Sequence, residues 1–191
     1  MRQLRLPALI LPVLILGLAA TPVLAHPGHD GASLAAGLEH PLTGLDHLLA
    51  MVAVGVLAAM RGGPSQWAWP AAFLAAMLGG IALGQLAPGA ALEPMILTSV
   101  IVLGGLLAAS VRVPAVLGLL LMTAFGLAHG YAHGVEGPAG GYGFPAGVLL
   151  TTAGLHAAGL LAGLSLKTRP AVARLLGAGA ALSGVVLAVA A

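Results

Sequence analysis

What most constrains this chain is a succession of apolar runs with almost nothing polar between them. After a shorter N-terminal run, six follow, at about 34–60, 67–86, 95–110, 113–133, 144–166 and 171–191. Each has the length that a helix needs to cross ~30 Å of hydrocarbon. The links are short and rich in Gly and Pro, such as Arg61-Gly62-Gly63-Pro64, Pro88-Gly89 and Gly137-Pro138-Ala139-Gly140-Gly141. Lipid offers the backbone no hydrogen-bond partners, so the runs must satisfy themselves as helices. Charged residues are only 6% of the chain, too few for a soluble domain of this size. The expectation is an all-α membrane protein with six transmembrane helices in one bundle, residues 26–191, after a cleaved N-terminal signal peptide, residues 1–25.

The signal is read from its layout. Arg2 and Arg5 precede an apolar stretch that contains Pro12, and Val23-Leu24-Ala25 is a small-residue cleavage site. An uncleaved first helix is the competing reading. Cleavage leaves His26-Pro27-Gly28-His29-Asp30 as the mature N-terminus. His26, His29 and Asp30 are either a metal-collecting terminus or a remnant of the cleavage region. Every Lys and Arg of the mature chain, from Arg61 and Arg112 to Lys167, Arg169 and Arg174, falls on one side if that terminus is periplasmic. The positive-inside rule then makes this a multi-pass protein of the bacterial inner membrane, with Trp67 and Trp69 as interfacial belt residues.

Two polar clusters interrupt the apolar runs. In the fourth run, His129 and His133 are one helical turn apart, and Glu136 extends the same face. In the first run, His40 and His47 are seven apart, hence ~10.5 Å along a straight helix. That spacing suits two successive sites, or one site if the helix breaks near Pro41 and Gly44. Asp46 is placed to bind metal or to orient a histidine. Met51 lies one turn from His47 and reads as a soft ligand or as packing, and Glu39 as an interfacial charge or part of the pathway. His156, midway along the fifth run, is a pathway ligand or a helix–helix hydrogen-bonding residue.

Charged groups in mid-bilayer cost roughly 2.5–3.5 kcal/mol each on insertion scales, so two such clusters need a compensating ligand. Imidazole and carboxylate suit borderline divalent ions, and the chain has no cysteine. Interfacial histidines facing headgroups are the bland alternative. No basic patch with aromatics points to nucleic acid, and no nucleotide-binding loop points to ATP. Nothing in the sequence fixes an oligomeric state. A zinc-dependent intramembrane hydrolase, with Glu136 or Asp46 as base, is the second function class. The ligands are spread along depth, and no nucleophile accompanies them.

The run His40-Pro-Leu-Thr-Gly-Leu-Asp46-His47 matches the H-x5-D-H motif of the HupE/UreJ family of nickel/cobalt permeases. The run His129-Gly-Tyr-Ala-His133-Gly-Val-Glu136 resembles that family's H-G-x-A-H-G-x-E motif. The signal, the His-Pro-Gly-His start and the six runs also look like that family. One departure is Ala128, where the family often has Phe. The resemblance implies a permease rather than an enzyme, moving Ni2+ or Co2+ into the cytoplasm for hydrogenase or urease maturation. It implies no permanently bound cofactor, and a need for His40, Asp46, His47, His129, His133 and Glu136 in transport.

Overall fold

The computed structural model describes residues 32–89, 92–138 and 141–190. The signal, and the N-terminal His26, His29 and Asp30, lie outside these residues. The described residues form seven α-helices and no strand: α1 Leu34–Thr43, α2 Leu45–Arg61, α3 Ser65–Leu86, α4 Glu93–Ala108, α5 Ala115–Glu136, α6 Gly143–Leu166 and α7 Pro170–Ala190. Four of them, α3, α5, α6 and α7, are long and apolar enough to cross a membrane. A fifth span results if α1 and α2 count as one.

Two of the runs depart from a single full-length helix. The first run is not one helix. Its two parts meet at Gly44 with an angle of 86° between them. Pro41 in the last turn of α1 donates no N–H, and Gly44 leaves the helix in an extended conformation, φ −90° and ψ 116°. The His40 carbonyl, released by that departure, is taken up by the Thr43 hydroxyl at 2.8 Å. A new helix then starts at Leu45, with Asp46 in its first turn, where the helix dipole favours a carboxylate. The run at 95–110 is also shorter than a full span. α4 has 16 residues, about 24 Å of helix.

The helices pair through glycine. α3 lies along α5, and a Cβ on Gly130 would strike the Met77 carbonyl. Gly55 of α2 lets the α6 backbone in at His156 and Leu160, and Gly104 of α4 faces Gly177 and Ala181 of α7. Small residues permit this backbone approach, from which packing in lipid draws its energy. With α1–α2 counted as one member, the principal pairs are first with fifth, second with fourth and third with sixth. Exchanging the first three members with the last three maps this set of pairs onto itself.

The core runs through Met51 and Val54 of α2, Trp69, Phe73 and Met77 of α3, Leu103 of α4, Met122 of α5 and Val148 of α6. Met51, one turn after His47, is wholly buried in this core. Trp69 corrects the belt expectation. It is buried, and its indole N–H donates to the Ala115 carbonyl at 3.0 Å, whereas Trp67 is exposed. Outside the core, Leu175, Leu182, Val185, Val186 and Val189 of α7 stand exposed. In water such a face costs roughly 25 cal/mol per Å² of apolar area, a cost that lipid removes. The basic residues gather at one end. Arg61 and Arg112 line one cavity of about 450 Å³, and Arg174 donates to Ser110 at 2.8 Å. His40, Glu136 and Phe144 mark the opposite end.

Candidate metal centre

Three helix ends supply the polar groups. α1 carries His40 in its last turn, α2 carries Asp46 and His47 in its first, and α5 carries His129, His133 and Glu136 in its last two. The bend at Gly44 brings the first cluster against the second. His40 and His47 have ring centroids 6.2 Å apart, well inside the straight-helix separation. His133 stands between them, 5.0 Å from His40 and 4.7 Å from His47. His47 lies 5.2 Å from His129. Glu136, the last residue of α5 rather than a loop residue, approaches His40 Nε2 with Oε2 at 3.5 Å.

The nitrogens are set up unequally. His47 Nδ1 lies 2.9 Å from Asp46 Oδ1, and the same oxygen accepts the His47 backbone N–H at 2.8 Å. A carboxylate only accepts, so Nδ1 carries the proton and Nε2 presents a lone pair. His129 repeats this with a backbone partner: Nδ1 donates to the Phe125 carbonyl at 2.9 Å, leaving Nε2 bare. Metal-ligating histidines are held in this way, with the other ring N–H engaged by a carboxylate or carbonyl. Both Nε2 atoms are buried without a hydrogen-bond partner, and so are both nitrogens of His133. Each such atom costs roughly 1–3 kcal/mol if nothing ever fills it. Four unpaired imidazole nitrogens from three facing histidines therefore fit a cation.

At the outer edge of this group, one donor atom each from His40, His133 and Glu136 lies within 4.8 Å of the others. Donors around an ion at ~2.1 Å stand roughly 3–4 Å apart, so modest side-chain movement closes the set. His133 belongs to both this outer set and the inner one with His47 and His129.

All six residues of the two sequence motifs thus converge, with Asp46 beside His47 as its orienting partner. Glu39 is exposed and outside the group. His156 is buried and shares a neighbour with the group in Phe73, whose ring centroid is 5.4 Å from that of His129 and 5.1 Å from that of His156. Sequence reasoning missed Phe73, because an aromatic in an apolar helix reads as packing. It also missed Thr152, though its place one turn before His156 was a usable signal.

The family model described as HupE / UreJ protein matches residues 14–187. The chain belongs to the HupE/UreJ family. It is 41% identical over 172 residues to Protein HupE of Rhizobium leguminosarum bv. viciae, a match covering 86% of this chain and 89% of that one. No solved structure matches it. In HupE/UreJ terms, the bend at Gly44 falls inside the first motif and Glu136 closes the second, so the fold joins two stretches about ninety residues apart in the chain.

Proposed function

We propose that this HupE/UreJ protein is a secondary transporter that carries Ni2+ or Co2+ across the bacterial inner membrane into the cytoplasm, to supply hydrogenase or urease maturation. The observation that carries the proposal is the meeting of His40, His47, His133, His129 and Glu136, with the Nε2 atoms of His47 and His129 held bare. Imidazole and carboxylate in a chain without cysteine suit these borderline ions better than Cu(I).

The ion is the cargo, and the side chains hand it along. His40 and Glu136, at the end opposite the basic residues, receive it from the periplasm. His133, with both ring nitrogens unpaired, passes it to His47 and His129. Transport needs sites that strip water yet release, and several small ligand sets serve this better than one closed cage. An inside-negative potential favours inward movement by ~2.3 kcal/mol per charge per 100 mV. The signal is removed, the mature N-terminus with His26, His29 and Asp30 is periplasmic and collects ions, and six segments cross the bilayer, α1–α2 and the short α4 included. The exchange symmetry of the helix pairs supports two inverted three-member halves with the site between them.

Uptake of radiolabelled nickel or cobalt into liposomes holding the purified protein tests the proposal. Saturable uptake that competes with the other ion supports it. Metal-dependent hydrolysis of a peptide or ester without uptake points instead to the hydrolase class.

A further inference from the structure

Outside the cluster, two of the described residues carry buried side-chain polar atoms that no hydrogen bond satisfies. Thr152 and His156 lie one turn apart on α6, 0% and 2% exposed. Neither ring nitrogen of His156 has a hydrogen-bond partner, and neither has the Thr152 hydroxyl. Other hydroxyls on these helices bond back to their own turn: Thr98 to Pro94, Thr123 to Leu119, Ser165 to Leu161 and Ser183 to Gly179. Thr152 forgoes that bond although its helix offers it. A helix–helix hydrogen bond, the ordinary reason for an intramembrane histidine, is also absent at His156.

The position is as telling as the missing partners. The rings form one row: His40, His133, His47, His129, Phe73, His156, with neighbouring centroids 4.7 to 5.4 Å apart. Phe73 meets His156 edge to face at 89° and also touches His129 of the cluster. Beyond lies a cavity of about 220 Å³ at the basic end. It begins at Leu57 of α2 and Trp69 of α3, within a turn of Gly55, which touches His156, and of Phe73. Arg61 and Arg112 line that cavity and make it a poor resting place for a cation.

We infer that His156 and Thr152 form a second station for the transported divalent ion, inward of the histidine cluster and beside the Phe73 ring that touches both. The inference rests on the transporter reading. An imidazole nitrogen and a hydroxyl, both desolvated in advance, replace part of the ion's water. Two ligands hold it loosely enough to release it toward the inner cavity.

The test uses the full-length protein in liposomes for radiolabelled nickel uptake, and in detergent for equilibrium nickel binding. His156→Leu should bind nickel at the outer cluster as wild type does, while its uptake falls about tenfold or more. Thr152→Val should show the same split to a smaller extent. His156→Cys places the sole thiol in the chain, so with Co2+ it should show a thiolate-to-cobalt charge-transfer band that wild type lacks. Wild-type uptake by His156→Leu, or no such band in a His156→Cys protein that still binds Co2+, overturns the station while leaving the transporter reading intact. Loss of binding together with uptake in both His156→Leu and Thr152→Val marks a structural role and also overturns it. Wild-type uptake in His47→Ala as well removes the transporter site itself.

Discussion

His40 and His47 face one another across a break, not along a helix: their rings are 6.2 Å apart because the chain turns through 86° at Gly44. The turn leaves no room for a side chain at its corner. A Cβ on Gly44 would lie 2.8 Å from Asp46 Oδ1 and 3.1 Å from His47 Nδ1. The backbone there is extended and open to any residue, so the constraint is steric and falls on the Asp46–His47 pair. Gly44→Ala should insert and accumulate normally, and its nickel uptake at low metal should fall about tenfold, the usual scale for disturbing a ligand's supporting partner. Uptake at the wild-type rate would show that the pair tolerates displacement.

Asp46 holds His47 through one oxygen that accepts two N–H groups. An amide oxygen can accept both. Asp46→Asn should therefore keep part of the uptake, and Asp46→Ala should lose it. Equal loss in both variants would assign the carboxylate charge a direct part in carrying the ion.

His47→Ala, His129→Ala and His133→Ala each remove a buried ligand and leave its neighbours unpaired. Each should abolish uptake at low metal while the protein still accumulates in the membrane. Full uptake in both His47→Ala and His133→Ala would return these residues to the bland alternative of interfacial histidines.

Gly130 sits where α5 crosses α3, and any Cβ there meets the Met77 carbonyl. Gly130→Ala must push two backbones apart. Overpacking of this kind costs about 1–3 kcal/mol. The variant should unfold at lower temperature in detergent, and Gly154→Ala, whose Cβ would meet nothing within 4 Å, should not. Equal melting of the two would refute the close crossing.

Thr168 and Gly89 are both exposed, at opposite ends of the bundle by chain order. With the basic end cytoplasmic, a cysteine at Thr168 should resist an impermeant thiol reagent applied from outside, and one at Gly89 should react. The reverse pattern would invert the orientation.

By itself the sequence determined that this chain is helical, that it is built for lipid, and which polar residues are the candidates for chemistry. Apolar length, scarce charge and the one-turn spacing of His129 and His133 are local properties, and local physics suffices for them. The ends of α3, α5, α6 and α7 fall within a few residues of where the apolar runs place them. Pro41 and Gly44 announced a break, but not its angle, because a glycine permits many directions and only packing against α6 and α5 selects one. The tertiary structure alone decided which nitrogens are bare. It also decided that Trp69 is core rather than belt, that Met51 is wholly buried, and that Phe73 touches both His129 and His156. Each of these depends on what a neighbouring helix brings to within 4 or 5 Å, and a chain's own periodicity says which face a residue is on, not what it faces.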